Sequence, residues 1–533
     1  MIGQVGFVLA MVGAVCVARL VADRFNVPYT IVLTIAGLVY AVLPGRNLHV
    51  DPDVILVVLI PPLLYATARR SSLLAIRANW RPILSLSVVL VLLTAFAVGF
   101  LVAAVVPQLT LAAGMVLGAS VAPPDPVAAL SVGRRAGMPP RLGTLIGGEG
   151  LLNDATALTA YQVAVAATVG AGFSLARAFG TFVLAAAGGL VIGAAIGLLL
   201  RLGRPLLRDP ILANMVSLAT PFVAYLAGEE AHVSGVLAVV IAGLMVGHDA
   251  PRRESGASRL QTAAVWQLVE FLLEGLVFLL IGQQLPEVLR GLRDEPPGTT
   301  AAVLILTVTA VLVVRPLWLI LTQLIPGRLN WRLGDPNPPL NGREVTALSW
   351  AGTRGVITLG AIFAVPLHTH SGAPFPDRDL LLLSAYAVVL VTLVGQGLTF
   401  APLLRALGLR ANAIEAAQVR NEARIAAVNA ALETVDELRD NGEVPPPVAA
   451  RLEDALRVRA DRYRARIAML DDAEGDEIAW TPEYEATVRA RHALIDAQRD
   501  ELLRWRDSGR LPDDSLRKLQ RELDHEEHTL PGR

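Results

Sequence analysis

Up to about residue 410 the chain is a succession of apolar runs separated by short polar gaps. An α-helix needs about 20 apolar residues to span a bilayer, and many runs reach that length. Their spacing predicts about thirteen spans, near 3–22, 28–44, 53–67, 82–106, 110–131, 142–169, 174–201, 210–228, 234–248, 263–285, 299–325, 344–367 and 380–407. Strand-like alternation is absent, which excludes an outer-membrane barrel. The pattern predicts an all-α polytopic membrane protein.

Two spans carry their own interruption. The fifth contains Ala122-Pro123-Pro124-Asp125-Pro126-Val127. Prolines so close together remove backbone donors and clash with the preceding carbonyls, so the helix must break there. The twelfth contains Trp350-Ala351-Gly352-Thr353-Arg354-Gly355, where two glycines flank a polar pair. Broken backbone at membrane depth survives only against protein or a watery cavity. Interruptions at corresponding places in two halves point to inverted repeats around a central binding site, here spans one to six and eight to thirteen.

From 411 to 533 the pattern changes to Ala, Glu, Arg and Asp with leucines at helical spacing, such as Leu432, Leu438, Leu452 and Leu456. Breaks are expected at Asn441-Gly442 with Pro445-Pro446-Pro447, near Gly475, and at Gly509 to Pro512; Thr481-Pro482 reads as an N-cap followed by proline at the first helical position. The domains are therefore a membrane domain, 1–410, and a cytosolic helical tail, 411–533, that regulates or oligomerises. His525 and His528 do not make a zinc site by themselves.

Composition agrees: 54% of the 533 residues are hydrophobic and 17% charged, against roughly 25% charged in an ordinary soluble domain. The net charge is −1, which gives no nucleic-acid footprint. The lone Cys16 excludes an internal disulfide and reads as a small apolar filler. The first span lacks a basic flank and a clear cleavage site, so it is expected to stay as a helix. Arginine sets the topology. Arg19 and Arg24; Arg69, Arg70, Arg77 and Arg81; Arg134, Arg135 and Arg141; Arg201, Arg204 and Arg208; Arg252, Arg253 and Arg259; and Arg328, Arg332 and Arg343 fall in alternate loops. Pro107 to Thr110, Ala171 to Gly172 and Glu229 to His232 lack arginine, and Arg46, Arg290, Arg293 and Arg378 each have acids nearby. The arginine-rich side is expected to be cytoplasmic, with the N-terminus outside and the tail inside.

The chemistry centres on Gly147-Gly148-Glu149-Gly150-Leu151-Leu152-Asn153-Asp154-Ala155 in the sixth span. An ionisable group at the centre of a membrane helix costs about 2.5–3.5 kcal/mol on the insertion scale, so two carboxylates there are expected to have a use. Glu149 and Asn153, four apart, share one face, and Asp154 points away from it. A poorly hydrated Asp154 binds either a proton or a metal cation, and that competition is the minimum machinery of an antiporter. Asp125, between two prolines, is the expected partner at the ion site, with carbonyls freed by the break as further oxygen ligands; it equally reads as a cap of a half-helix. Glu149 needs a counter-charge, and intramembrane Arg315 is favoured as a structural ion pair over Arg354. Arg354 is expected to offset the dipole ends of the half-helices. Glu270 and Glu274 either line a cavity or sit at a dimer interface. Glu229, Glu230 and His232 read as a solvated funnel mouth, and His248 as an interfacial histidine.

These residues resemble a known family. Gly148-Glu149-Gly150-Leu151-Leu152-Asn153-Asp154-Ala155 is similar to the Gly-Glu-Ser-Leu-Leu-Asn-Asp-Ala signature of the monovalent cation/proton antiporters, in their sodium–proton exchanger branch. Pro61-Pro62-Leu63-Leu64, Asp125-Pro126-Val127-Ala128, Ser234-Gly235-Val236-Leu237-Ala238-Val239-Val240 and Trp350-Ala351-Gly352-Thr353-Arg354-Gly355 resemble further blocks in the same order. The resemblance implies a homodimer of thirteen-helix protomers with crossed discontinuous helices and alternating access in the bacterial inner membrane. It implies Asp154 as the cation/proton carboxylate, with Asn153 and Asp125 in the ion site, Glu149 paired with Arg315, and electroneutral exchange of Na+, with Li+, for H+. Three departures remove or alter oxygens: Ala66 where an acid is frequent, Pro124 where threonine or a small residue is frequent, and Gly150 in place of the signature serine. A site with fewer oxygens favours a larger ion, so K+/H+ exchange is the alternative. No cofactor is implied beyond the transported ions. An intramembrane aspartyl hydrolase using Asp125 and Asp154 is disfavoured because no Gly-x-Gly-Asp block occurs, so no enzyme is expected.

Overall fold

The computed structural model describes residues 2–25, 29–42, 55–107, 109–170, 175–203, 206, 209–291, 296–323, 340–410, 413–471 and 482–528. Arg46, Ala171, Gly172, Arg204, Arg208, Arg293, Arg328, Arg332, Gly475 and Thr481 lie outside them. The chain divides into two compact units, Met1–Ala411 and Asn412–Arg533.

Among the described residues of the first unit each expected span is largely helical, except at 122–125, 351–355 and 364–367. No strand occurs among them, only an isolated β-bridge between His368 and Pro374. Among the described residues, seven helices are long and apolar enough to cross a membrane: 80–105, 176–203, 210–230, 235–253, 256–280, 297–323 and 378–406. Their ends are satisfied locally. Ser234 accepts from the Leu237 amide, Asp209 from the Ile211 amide, and Asn341 with Glu344 forms a reciprocal capping box.

Both expected interruptions are present. The first separates helix Leu111–Val121 from Pro126–Arg135, and the second separates Gly342–Trp350 from Val356–Phe363. The unwound segments meet. The Asp125 amide donates to the Thr353 carbonyl at 2.6 Å, and the Thr353 hydroxyl donates to the Asp125 carbonyl at 2.9 Å. Backbone groups orphaned by each break are thus partly satisfied by the other. The long helix Pro140–Val169, which carries Glu149, Asn153 and Asp154, packs against this crossing.

Glycine brings a further helix pair into place. Gly37 lies on the Leu279 carbonyl and Gly282 on the Thr34 carbonyl, so Tyr29–Val42 and Gly256–Gly291 touch backbone to backbone. That approach sets Tyr29 beside Glu274.

The second unit contains helices Ala413–Asp440, Pro446–Asp471, Pro482–Asp507 and Asp513–His528. The first pair is joined by Arg439–Glu453 at 2.7 Å and by Arg424 over the Tyr463 ring. Arg499 links the second pair through Asp524 and Glu527. Gly442 and Gly509 adopt the left-handed conformation at their breaks, which glycine accepts without a Cβ clash.

Candidate ion site

The back of the helix Pro140–Val169 is tied down. Glu149 and Arg315, only 1% and 3% exposed, form a two-pronged ion pair, with Nη2 to Oε2 at 2.8 Å and Nη1 bonded to Oε1. Arg315 Nε also donates to the Leu348 carbonyl at 3.0 Å, near the end of half-helix Gly342–Trp350. One guanidinium therefore neutralises a carboxylate and satisfies a helix-end carbonyl. Arg354 does similar work at the crossing. Its Nε donates to the Val121 carbonyl at 2.7 Å, closing the end of Leu111–Val121, and its Nη1 bonds the Gly352 carbonyl. Its amide donates to the Thr392 hydroxyl at 2.9 Å. The positive charge sits where two helix C-termini present their negative ends.

Asn153 shares the buried face with Glu149. Its Nδ2 donates to the Pro124 carbonyl at 2.8 Å, and the side chain is fully buried away from the cavity lining. It braces the break from behind. Its Oδ1 is buried with no hydrogen-bond partner among the described residues, which leaves that oxygen available as the ion ligand the sequence suggests.

The other face opens onto a cavity of about 50 Å³ whose lining includes Asp125, Asp154, Glu270, Glu274, Thr67 and Thr358. Asp125 combines two placements. Its Oδ1 accepts from the Val127 amide at 2.9 Å, capping half-helix Pro126–Arg135, and the carboxylate lines the cavity. Glu270 pairs with exposed Arg70, and Glu274 accepts from the Tyr29 hydroxyl. The structure thus sets both glutamates in the cavity rather than at an outer surface. Asp154, 8% exposed, has no hydrogen bond or ion pair from its side chain among the described residues. Beyond it on the same helix, Thr159 bonds the Ser234 hydroxyl at 2.9 Å and Gln162 donates to Glu229 at 3.2 Å. Glu230, His232 and His248 are exposed.

Glycine at two positions is required by this packing. A Cβ on Gly150 would run into the Pro126 ring, so the helix and the break lie too close for the serine of the resembled signature. A Cβ on Gly355 would land on the Asp125 carboxylate. Gly355→Ala is therefore expected to displace the Asp125 carboxylate and to cost about 1–3 kcal/mol of stability. Thermal melting of purified protein checks this; a wild-type melting temperature would show that Asp125 can shift without cost.

Tyr29, Arg70 and Thr358 were not singled out in the sequence. Arg70 reads there as one of several loop arginines, and the apolar context of Tyr29 and Thr358 carries no signal. Only packing brings Thr358 to the cavity, and Tyr29 and Arg70 to the glutamates that line it.

Comparison with known proteins identifies the family. The sodium/hydrogen exchanger transmembrane family matches residues 8–406. An uncharacterised Na+/H+ exchanger of Mycobacterium tuberculosis is 32% identical over 527 residues, 98% of this chain and 95% of that protein. A sodium, potassium, lithium and rubidium/H+ antiporter of Bacillus subtilis is 33% identical over 400 residues, 73% of this chain and 59% of that protein. The structure of the sodium proton antiporter MjNhaP1 from Methanocaldococcus jannaschii superposes with a TM-score of 0.62 at 16% identity, covering 76% of this chain and 99% of that one, and shares the fold. With the family matched across its helical first unit and a relative aligned along nearly its whole length, this chain belongs to the sodium/hydrogen exchangers, multi-pass membrane proteins that exchange cations for protons.

Proposed function

We propose that this protein exchanges Na+, and also Li+, for H+ by alternating access, with Asp154 as the carboxylate for which cation and proton compete. One observation carries the reading: among the acids around the crossing, Asp154 alone lacks a fixed donor or counter-charge among the described residues. Glu149 has Arg315, Glu270 has Arg70, Glu274 has Tyr29, and Asp125 has the Val127 amide. A desolvated carboxylate without a partner must take a proton or a cation. Asp125 and carbonyls of the break supply further oxygens. One cation traded for one proton at a single carboxylate leaves its charge unchanged, which supports electroneutral exchange.

The remaining architecture belongs to the same reading: thirteen crossings in two inverted repeats, a homodimer in the cell membrane, the N-terminus outside, and the residues from 411 as a cytoplasmic tail that regulates or oligomerises. Exposed Arg70 beside the cavity, and the Thr159–Ser234 and Gln162–Glu229 contacts beyond Asp154, support a state open toward the arginine-rich side.

A specific observation favours a broader ion range. Ala66, Pro124 and Gly150 withhold side-chain oxygens, and the Bacillus subtilis relative carries potassium and rubidium in its name. K+/H+ exchange is therefore the second reading. Everted vesicles with a pH-sensitive dye separate the two. Sodium and lithium are expected to give saturating signals and potassium a weaker one, with rates unchanged when the membrane potential is clamped. A response to potassium alone would replace the first reading by the second, and no response to any alkali cation from folded protein would overturn both.

A further inference from the structure

Buried hydroxyls in apolar helices normally bond their own backbone. Thr94, Ser120, Thr159, Thr307 and Ser384 each donate to the carbonyl four residues earlier, and cavity-lining Thr67 does the same to Leu63. Thr358 does not. It is 1% exposed, its Oγ1 has no hydrogen-bond partner among the described residues, and it lines the cavity that holds Asp154 and Asp125. It lies in the first turn of the half-helix Val356–Phe363, so the carbonyl four residues back belongs to Arg354 in the unwound segment. An unpartnered buried hydroxyl is unfavourable, and native structures retain few of them.

We propose that the Thr358 hydroxyl oxygen is a ligand of the transported alkali cation, completing an oxygen site with the Asp154 and Asp125 carboxylates. This rests on the reading of Asp154 given above. A hydroxyl adds an oxygen without adding charge, so it improves coordination of a hard cation and leaves the balance of one cation against one proton intact. It also supplies, from the second interrupted helix, an oxygen in a site where Ala66, Pro124 and Gly150 provide none from their side chains. Binding of the cation then gives the orphaned oxygen its partner. Loss of one ligand weighs most on the small, strongly hydrated ions, so Thr358 favours Li+ and Na+ over K+.

The test compares full-length Thr358→Val, which keeps the shape and loses the oxygen, with Thr358→Ser, which keeps the oxygen. Half-saturating Li+, Na+ and K+ are measured at fixed pH in everted vesicles. Thr358→Val is expected to raise the Li+ and Na+ values about tenfold and the K+ value less, while Thr358→Ser stays within about twofold of wild type. Equal values for Thr358→Val and wild type with all three ions, or equal impairment in both variants, overturn the proposal. A second readout is the rise in melting temperature of purified protein with added NaCl, whose midpoint should move about tenfold in Thr358→Val; an unmoved midpoint overturns it. If Thr358→Val does not fold, Thr358→Ala takes its place in both measurements. Asp154→Asn in the same vesicles keeps the two ideas apart: wild-type exchange there would sink the Asp154 reading itself, whereas a dead Asp154→Asn beside an unaltered Thr358→Val would sink only the role of Thr358.

Discussion

Asp154→Asn is expected to abolish cation-driven proton movement for sodium, lithium and potassium alike, a loss of about a hundredfold or more in rate. Asparagine keeps the shape of the side chain and an oxygen, so the packing around it is undisturbed. What it loses is the ability to alternate between a neutral, protonated form and a charged form held by a cation. Every other acid at the site has a fixed donor or counter-charge, so none replaces it without giving that partner up. The protein itself should tolerate the change. A buried carboxylate without a partner is costly to desolvate, so the variant is expected to melt at or above the wild-type temperature. Dye quenching in everted vesicles, with the melting curve alongside, checks both halves. Exchange at the wild-type rate would move the competing site to another cavity acid, with Glu270 and Glu274 next in line.

Glu149→Gln is expected to do the opposite: a large loss of stability with little change in cation affinity. Both partners of the Glu149–Arg315 pair are buried, and removing one charge leaves the other uncompensated, which costs about 3–5 kcal/mol. The damage spreads because Arg315 also holds the Leu348 carbonyl near the end of a half-helix. Yield and melting temperature should fall sharply, while the half-saturating sodium of the surviving protein stays near the wild-type value. Arg315→Gln should be comparably damaging, and the double variant should lose less than the sum of the two, since neighbours in one network are not additive. An unchanged melting temperature in Glu149→Gln would show that the pair does not act as scaffold.

The two expectations divide one helix into two faces. On one, Glu149 and Asn153 are committed to Arg315 and the Pro124 carbonyl. On the other, Asp154 faces the cavity with no commitment. The rigid face holds the interrupted helices in place so that the open one can change its occupant without rearranging the scaffold.

Much of this was legible along the chain because its causes are local. Pro123, Pro124 and Pro126 break the helix wherever the segment lies, since proline lacks the amide donor and clashes with its own preceding turn. Gly352 and Gly355 mark the second interruption by a different local cause, the backbone freedom that makes glycine a poor helix former. The one-residue step from Asn153 to Asp154 turns the carboxylate away from the Glu149 face by helix geometry alone. The apolar runs locate the helices because a backbone without water must bond itself. Partnership across the fold was not local. Glu149 had two candidate arginines in the sequence, and the packing of Arg315 beside the broken helix decided the contact. Asn153 braces Pro124 because the break, folded against it, presents a freed carbonyl there. Glu270 and Glu274 had two possible settings until the backbone contact at Gly37 and Gly282 turned them into the cavity beside Tyr29 and Arg70. Thr358 looked like one more helix residue until the crossing left its oxygen without a partner. Periodicity fixes which side chains share a face; only packing fixes what that face meets.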